Sequence, residues 1–152
     1  PVYRRPIRPM ASPASQEVNL TLPIRPNMEM TASKTATSLA ESMGMSADKV
    51  DEVRMAVVEA CINAFEHSRA KDGRVYVTFQ ILNEDEPQKL QIKVEDTGVG
   101  FTPEDVEKPR IEDKLKAQSK RGWGIQIIKG LMDEVEFQSG DNGTVVVMRK
   151  LR

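Results

Sequence analysis

Two hairpin signals most restrict the folds that are open to this chain. Residues 74–82 are rich in β-branched and aromatic side chains, residues 89–95 alternate apolar and polar, and the turn-forming run NEDEPQ lies between them. A second pair of strand-like segments, 134–138 and 144–149, flanks the turn SGDNG. Strands that are joined by such short turns run antiparallel. The sequence therefore predicts a largely antiparallel or mixed sheet, to which residues 17–24 add a further short strand.

Three helices are predicted from apolar side chains that recur at helical spacing. Asn27 is the predicted N-cap of the first, and Gly44 ends it with a left-handed turn. Ser46 caps the second, and Gly122 opens the third, which runs to Met132. The apolar faces of the three helices comprise Met28, Ala32, Ala36, Leu39, Ala40 and Met43, then Val50, Val53, Val57, Ala60 and Ala64, then Ile125, Ile128 and Met132. Helices that cover one face of the sheet give an α+β fold, a two-layer sandwich.

Length and composition exclude several classes of protein. The 152 residues fit one compact domain, and the net charge of −1 provides no global field toward nucleic acid or an anionic membrane. One cysteine, Cys61, and one histidine, His67, exclude an internal disulfide and metal sites rich in either residue. No apolar run is long enough to span a bilayer. We expect a cytoplasmic protein that contacts no nucleic acid directly, with a disordered tail or linker at 1–16 and one domain at 17–152.

The segment EACINAFEHS places two polar side chains on one face of the second helix. Glu59 and Asn63 are four residues apart, so they lie one above the other. A carboxylate at this position can accept a proton, and an amide oxygen can coordinate Mg²⁺, which prefers oxygen ligands. A polar helix flank without any chemistry explains the same pattern equally well.

The segment VEDTGVGF, residues 94–101, begins in the last residues of the strand at 89–95 and continues past it. Directly after the strand, Asp96 can accept a hydrogen bond from an exocyclic amine such as that of adenine. Gly98 and Gly100 allow the backbone to approach a flat base closely. An ordinary turn at the end of a strand is the alternative interpretation, although two glycines at this spacing after an acidic residue form a fairly specific pattern.

A third segment, KRGWGIQIIKG, opens the last helix with Gly122 and Gly124. Unpaired N–H groups at a helix start bind anions such as phosphates, and Arg121 adds positive charge. A glycine hinge explains the segment as well, and it lacks both the Gly-Lys-Ser/Thr of a P-loop and a complete G-x-G-x-x-G. The charged residues 102–121 before it contain two prolines and are predicted to form a long functional loop.

In this order and spacing, the three segments resemble those of the GHKL ATPases, the superfamily of gyrase, the heat-shock chaperone, histidine kinases and the mismatch-repair ATPase. Within it, EACINAFEHS and GIQIIKGLMDEVEF look like the anti-sigma-factor serine/threonine kinases of partner-switching systems, the RsbW type. The resemblance covers residues 17–152. It implies the GHKL ATP-binding fold for the predicted sandwich, and an ATP lid at about 102–121.

The resemblance also implies a role for each residue of the three segments. Glu59 matches the catalytic base, and Asn63 matches the ligand of the Mg²⁺ ion that accompanies ATP. Asp96 matches the aspartate that binds adenine. The remaining matches are Gly98 and Gly100 beside the adenine, Gly122 and Gly124 at the phosphates, Arg121 near the terminal phosphate, and Thr144 near the adenine pocket.

The implied activity is transfer of the γ-phosphoryl group of ATP to a serine or threonine of an anti-anti-sigma antagonist of the STAS type. The same protein would be an anti-sigma factor that sequesters a sigma factor, and the resemblance implies a homodimer. Two alternatives stay open. One is an ATP-binding regulatory module that sequesters a partner without phosphorylating it, and the other is a fragment of a larger GHKL ATPase.

Overall fold

The computed structural model describes residues 17–67, 72–84, 86–97, 123–140 and 142–152, and their helices and strands follow the predicted order. The strands are β1 (Glu17–Pro23), β2 (Arg74–Leu82), β3 (Lys89–Asp96), β4 (Glu134–Gly140) and β5 (Gly143–Leu151). The helices are α1 (Met28–Ser42), α2 (Ala47–His67) and α3 (123–131). The bounds of β2 agree with the sequence prediction, whereas β4 and β5 extend further, to Gly140 and Leu151.

The strands form one sheet in the order β1-β2-β3-β5-β4, and every neighbouring pair is antiparallel. The two predicted hairpins are present, and β5 is the strand that joins them, because it pairs with β3 as well as with β4. α2 packs against β2, β3 and β5, while α1 packs against α2 and β1. The predicted α+β sandwich with helices on one face is therefore confirmed.

The core lies between the sheet and the helices. Alternate residues of β2 and β3 are buried, so one face of the sheet is apolar and covered, and the other carries half-exposed polar side chains. The largest fully buried side chains include Phe79, Leu90, Ile92, Ile128 and Met148. On α2, the predicted stripe is buried from Val50 to Ala60, and Ala64 is half-buried at its end. This stripe orients α2 so that its polar edge faces α3.

Both ends of α1 and the start of α2 lie where the sequence predicts them, although Asn27 differs in how it acts. α3 ends at residue 131, one residue before the predicted Met132, and its predicted start at Gly122 lies outside the described residues. Ser46 caps α2, since its hydroxyl accepts a hydrogen bond from the Lys49 N–H at 3.3 Å, and Gly44 has the left-handed φ of 80°. α1 begins after Asn27 as predicted, but the Asn27 side chain makes no capping hydrogen bond. The physical reason is its backbone, because φ of 71° is left-handed, whereas a capping residue adopts the β region. No helix in the described ranges is long and apolar enough to cross a membrane.

Candidate functional site

The first described turn of α3 lies against the polar edge of α2. Asn63 is buried, and Glu59 one turn before it is half-buried. A Cβ atom on Gly124 would lie 3.0 Å from Glu59 Oε1 and 3.7 Å from the Asn63 side-chain nitrogen. A distance of 3.0 Å between a Cβ and an oxygen is shorter than ordinary contacts. The Glu59 carboxylate can therefore lie this close to α3 only because residue 124 has no side chain. The structure thus brings together residues from the first and third sequence motifs.

Local packing explains why Gly124 faces α2. Ile128 lies one turn further along α3 and is fully buried, so the face of α3 that carries Gly124 is its core-facing side. On α2, the small side chains of Ala56 and Ala60 are buried on the same side as Asn63. The polar edge of α2 is therefore held between the apolar core and α3, which leaves Glu59 half-buried.

A second group of predicted residues meets where β3 ends and β5 begins. Asp96 pairs with Thr144 in the β3–β5 ladder, although the two are far apart in the sequence. Asp96 is 6% exposed and continues the buried series of Ile92 and Val94, so it lies on the face of the sheet that the helices cover. The sheet therefore places the predicted adenine ligand beside Thr144 and on the same face as α2.

Gly143 is a residue of this second group that the sequence analysis treated only as part of a turn. Its φ is +112°, and a Cβ on it would lie 2.0 Å from the carbonyl oxygen of Asp96 and 3.1 Å from Asp96 Oδ1. Any side chain there would overlap the backbone of β3. In the sequence, the glycine directly before Thr144 could have indicated a close backbone contact. Only the pairing of β3 with β5 identifies Asp96 as the residue that Gly143 approaches.

The other predicted site residues lie outside the described residues. They are Gly98, Gly100, Arg121 and Gly122, and the same holds for the ATP lid at 102–121 and the tail at 1–16. Their roles stay predictions from the sequence.

Cys61 lies on α2 close to the site in sequence, and its chemistry is that of a core residue. Burial, followed by the negative charge of Glu29, raises the pKa of the Cys61 thiol to about 12. The thiol is consequently protonated at neutral pH, and a protonated thiol is neither a nucleophile nor a metal ligand. Cys61 is fully buried, so it fills space in the apolar core.

The described part of the chain contains no group of three or more His, Cys, Asp or Glu residues that could hold a metal ion. This result is compatible with Mg²⁺, because that ion commonly takes one or two protein oxygens and fills its shell with water and phosphate. Asn63 suits such a role because its amide is buried next to Gly124, in the first described turn of α3.

Replacing Gly124 with alanine should impair the site without weakening the fold. Alanine favours the helix by up to about 1 kcal/mol, but its methyl group would push the Glu59 carboxylate aside. We expect unchanged or higher thermal stability, together with a lower rate of the phosphoryl transfer that the sequence resemblance implies. Gly130→Ala is the matched control, because it lies on the same helix and a Cβ there meets nothing within 4 Å. Equal activity of the two variants would contradict the contact with Glu59.

Comparison with known proteins identifies the family to which this chain belongs. Residues 22–150 match the family described as the histidine kinase-like ATPase domain. The serine-protein kinase RsbW of Bacillus licheniformis is 31% identical over 144 residues, which covers 90% of this chain and 86% of the relative. The chain belongs to the histidine kinase-like ATPase family, in its RsbW type. The RsbW-type assignment agrees with a second relative, the serine-protein kinase RsbW of Bacillus cereus strain Q1, at 26% identity over 145 residues, or 89% of this chain and 84% of that protein.

A solved structure has the fold of this RsbW-type chain. The RsbU and RsbW domains of Rv1364c from Mycobacterium tuberculosis superpose with a TM-score of 0.65 at 17% identity. The match covers 90% of this chain and 32% of that one. At this identity the likeness concerns the fold alone, and it agrees with the two-layer sandwich described above.

Proposed function

We propose that this RsbW-type chain is an anti-sigma factor and an ATP-dependent serine/threonine kinase that phosphorylates a STAS-type anti-anti-sigma antagonist. The observation that carries the proposal is the contact of Gly124 with Glu59 and Asn63. It joins a helix start that is suited to phosphates to a carboxylate that is suited to accept a proton. The RsbW relatives are named serine-protein kinases, which supports a hydroxyl group as the phosphate acceptor.

ATP would be bound where β3 ends and β5 begins. We assign to Asp96 the hydrogen bond with the exocyclic amine of adenine, because a carboxylate accepts from an N–H donor and this one is buried at the end of β3. Thr144 would line the same pocket as the neighbour of Asp96 in the ladder. Gly98 and Gly100, which the sequence places just after Asp96, would let the backbone approach the base.

Transfer would take place between α2 and α3. Glu59 would accept the proton of the acceptor hydroxyl, and the backbone of the Gly122–Gly124 segment would orient the phosphates, with Arg121 near the terminal one. Asn63 would hold Mg²⁺, which when bound neutralises phosphate charge. Catalysis of phosphoryl transfer depends mostly on such positioning and charge neutralisation. The lid predicted at 102–121 would lie next to this site, because in the sequence it directly precedes the N-terminal end of α3.

Partner exchange would follow from the charge that the reaction adds. A phosphorylated serine or threonine carries about −1.5 to −2 charges at neutral pH, which repel the nucleotide phosphates that remain in the site. The modified antagonist would leave, and the freed protein would bind the sigma factor. We propose that the kinase acts as a homodimer and that it reaches transcription through the sigma factor, without direct contact to nucleic acid.

The test is mass spectrometry of the STAS-type antagonist after incubation with ATP and Mg²⁺, with a parallel pull-down of the sigma factor. We expect one added phosphate on a serine or threonine, together with loss of antagonist binding. An antagonist whose acceptor residue is replaced by alanine is the control and should stay unmodified and bound. Binding of both proteins without phosphate transfer would favour a regulatory module instead. Release of free phosphate with an unmodified antagonist would contradict the kinase assignment.

A further inference from the structure

Lys150 is a charged residue inside the apolar core, and none of the chemistry proposed above uses it. It lies on the helix-facing side of β5 next to the buried Met148, and its side chain is only 7% exposed. The other buried polar residues of the described ranges are Ser33, Asn63 and Asp96. The hydroxyl of Ser33 donates to a backbone carbonyl of its own helix, and the other two belong to the candidate site. Lys150 therefore requires a separate explanation.

The ammonium group of Lys150 connects two helices. It forms an ion pair with Glu52 of α2, and it donates a hydrogen bond of 2.6 Å to the carbonyl oxygen of Leu131. Leu131 is the last residue of α3, where backbone carbonyls have no partner within the helix. A cation at this end also interacts favourably with the helix dipole. The C-terminal end of α3 is thus linked to α2 through a residue of the sheet.

The same two helices also meet at the other end of α3. Glu59 lies two turns after Glu52 on α2, and Gly124 lies two turns before Leu131 on α3. Each separation corresponds to about 10 Å along the helix axis. Because Gly124 contacts Glu59 while Leu131 is linked to Glu52, α3 runs antiparallel to α2 and the spacing of the two contacts matches.

We infer that Lys150 and Glu52 are positioning residues, which set α3 so that its N-terminal turn lies against Glu59. Stability alone does not account for the pair. Only the Lys150 end of the pair is buried, and taking its ammonium group out of water costs hydration energy. An apolar residue of similar volume is often neutral or stabilising at such a position. A role in positioning does account for the pair. A charged group that donates to two acceptors fixes the place of the C-terminal end of α3 more narrowly than apolar packing does, because hydrogen bonds depend on direction.

Backbone contacts beside Lys150 support a role in positioning. The Asp133 N–H donates to the Arg149 carbonyl at 3.0 Å, and the Leu151 N–H donates to Asp133 Oδ2 at 2.7 Å. The segment directly after α3 is therefore attached to β5 on both sides of Lys150. Movement of β5, of the C-terminal end of α3 or of Glu52 would be transmitted along α3 to Gly124.

The test is Lys150→Met, which keeps the apolar stem of the side chain and removes its charge. The readout is hydrogen exchange of the α3 amides, compared with exchange of the β2 and β3 amides. Loss of the charged hydrogen bonds should raise exchange in α3 by about 10–100-fold. We expect exchange in β2 and β3 and the melting temperature to stay nearly unchanged.

Lys89→Met is the matched control. Lys89 also pairs with a glutamate, Glu134 at 2.9 Å, but this pair lies on the outer face of the sheet, away from the helices. The control should leave α3 exchange as it is. Unchanged α3 exchange in folded Lys150→Met would overturn the inference. An equal rise of exchange in all elements would also overturn it, because that result describes a residue that only stabilises the core.

Glu52→Gln provides a second variant that does not depend on the tolerance of the core. Its side chain is 41% exposed, so the variant should fold even where Lys150→Met does not. We expect the same α3 amides to exchange faster, by a smaller factor, since the amide oxygen still accepts a hydrogen bond. In the double variant the two increases in exchange should not add, because both substitutions break the same ion pair between Lys150 and Glu52. Native α3 exchange in Glu52→Gln would contradict the positioning role of the ion pair. Additive increases in the double variant would contradict it as well.

A rate measurement extends the test and rests on the proposed function. A displaced catalytic geometry lowers kcat for phosphoryl transfer, here by about 10–100-fold, with a smaller change in the KM for ATP. The two proposals fail in different ways. Absence of phosphate transfer by the unaltered protein would count against the kinase assignment, whereas unchanged α3 exchange in the variants would count against the positioning role.

Discussion

Replacing Glu59 with glutamine should slow phosphoryl transfer to the antagonist by about 10²–10⁴-fold, the usual loss when a general base is removed. Glutamine has the size of glutamate, so the contact with Gly124 and the packing of α3 should persist. An amide cannot accept the hydroxyl proton, and ATP affinity should change little. The measurement is a single-turnover reaction with labelled ATP, in which product release does not mask the chemical step.

The control for this variant is Glu41→Gln, which makes the same change at an exposed position of α1. It should leave both the rate and ATP affinity at native levels. A native single-turnover rate in folded Glu59→Gln would assign Glu59 a structural role. A loss of ATP binding in the same variant would move Glu59 from proton transfer to nucleotide binding.

Gly143→Ala should lower the free energy of unfolding and remove most ATP binding. The added Cβ would lie 2.0 Å from the Asp96 carbonyl oxygen, an atom of the backbone that cannot rotate away, and φ of +112° is strained for alanine. The strain alone costs about 1–3 kcal/mol. Displacement of Asp96 should also weaken ATP binding by about 10–100-fold, since the hydrogen bond that we propose between Asp96 and the base would be lost. Denaturant unfolding and calorimetric titration with ATP measure the two effects.

Two further variants test whether the loss of stability and the loss of ATP binding in Gly143→Ala come from the contact with Asp96. Gly140→Ala lies at the other end of the β4–β5 connection, where a Cβ meets nothing within 4 Å, and it should behave like the native protein. Asp96→Asn keeps the shape of the side chain, so we expect ATP binding to weaken while the fold survives. Native ATP affinity in both Gly143→Ala and Asp96→Asn would exclude this end of the β3–β5 pair as the adenine site.

Much of the fold could be predicted because its signals are local. The alternation in β2 and β3 and the apolar stripes of α1 and α2 each follow from the period of a single element. The exception at Asn27 is also instructive, since residue type alone suggested a side-chain cap. Asparagine adopts the left-handed backbone more readily than most residues, and here that backbone prevents the cap.

The candidate site was predicted as three separate motifs, and each motif alone had an alternative interpretation. Glu59 and Asn63 were paired correctly, because four residues are about one helical turn. Their contact with Gly124 and the approach of Gly143 to Asp96 join parts of the chain that are far apart in sequence. Lys150 illustrates the limit most clearly, because its residue type favours the surface while its position in the alternation of β5 places it in the core.

The sequence by itself therefore determined the order and type of the elements, the antiparallel hairpins, and the residues at which the three motifs lie. Only the tertiary structure decided that β5 lies between β3 and β4, that Thr144 and Gly143 meet Asp96, and that α3 lies antiparallel to the polar edge of α2. The physical reason is the range of the interactions. Periodicity and turn chemistry act over a few residues, whereas strand order and helix docking depend on burying the apolar faces of distant elements against one another.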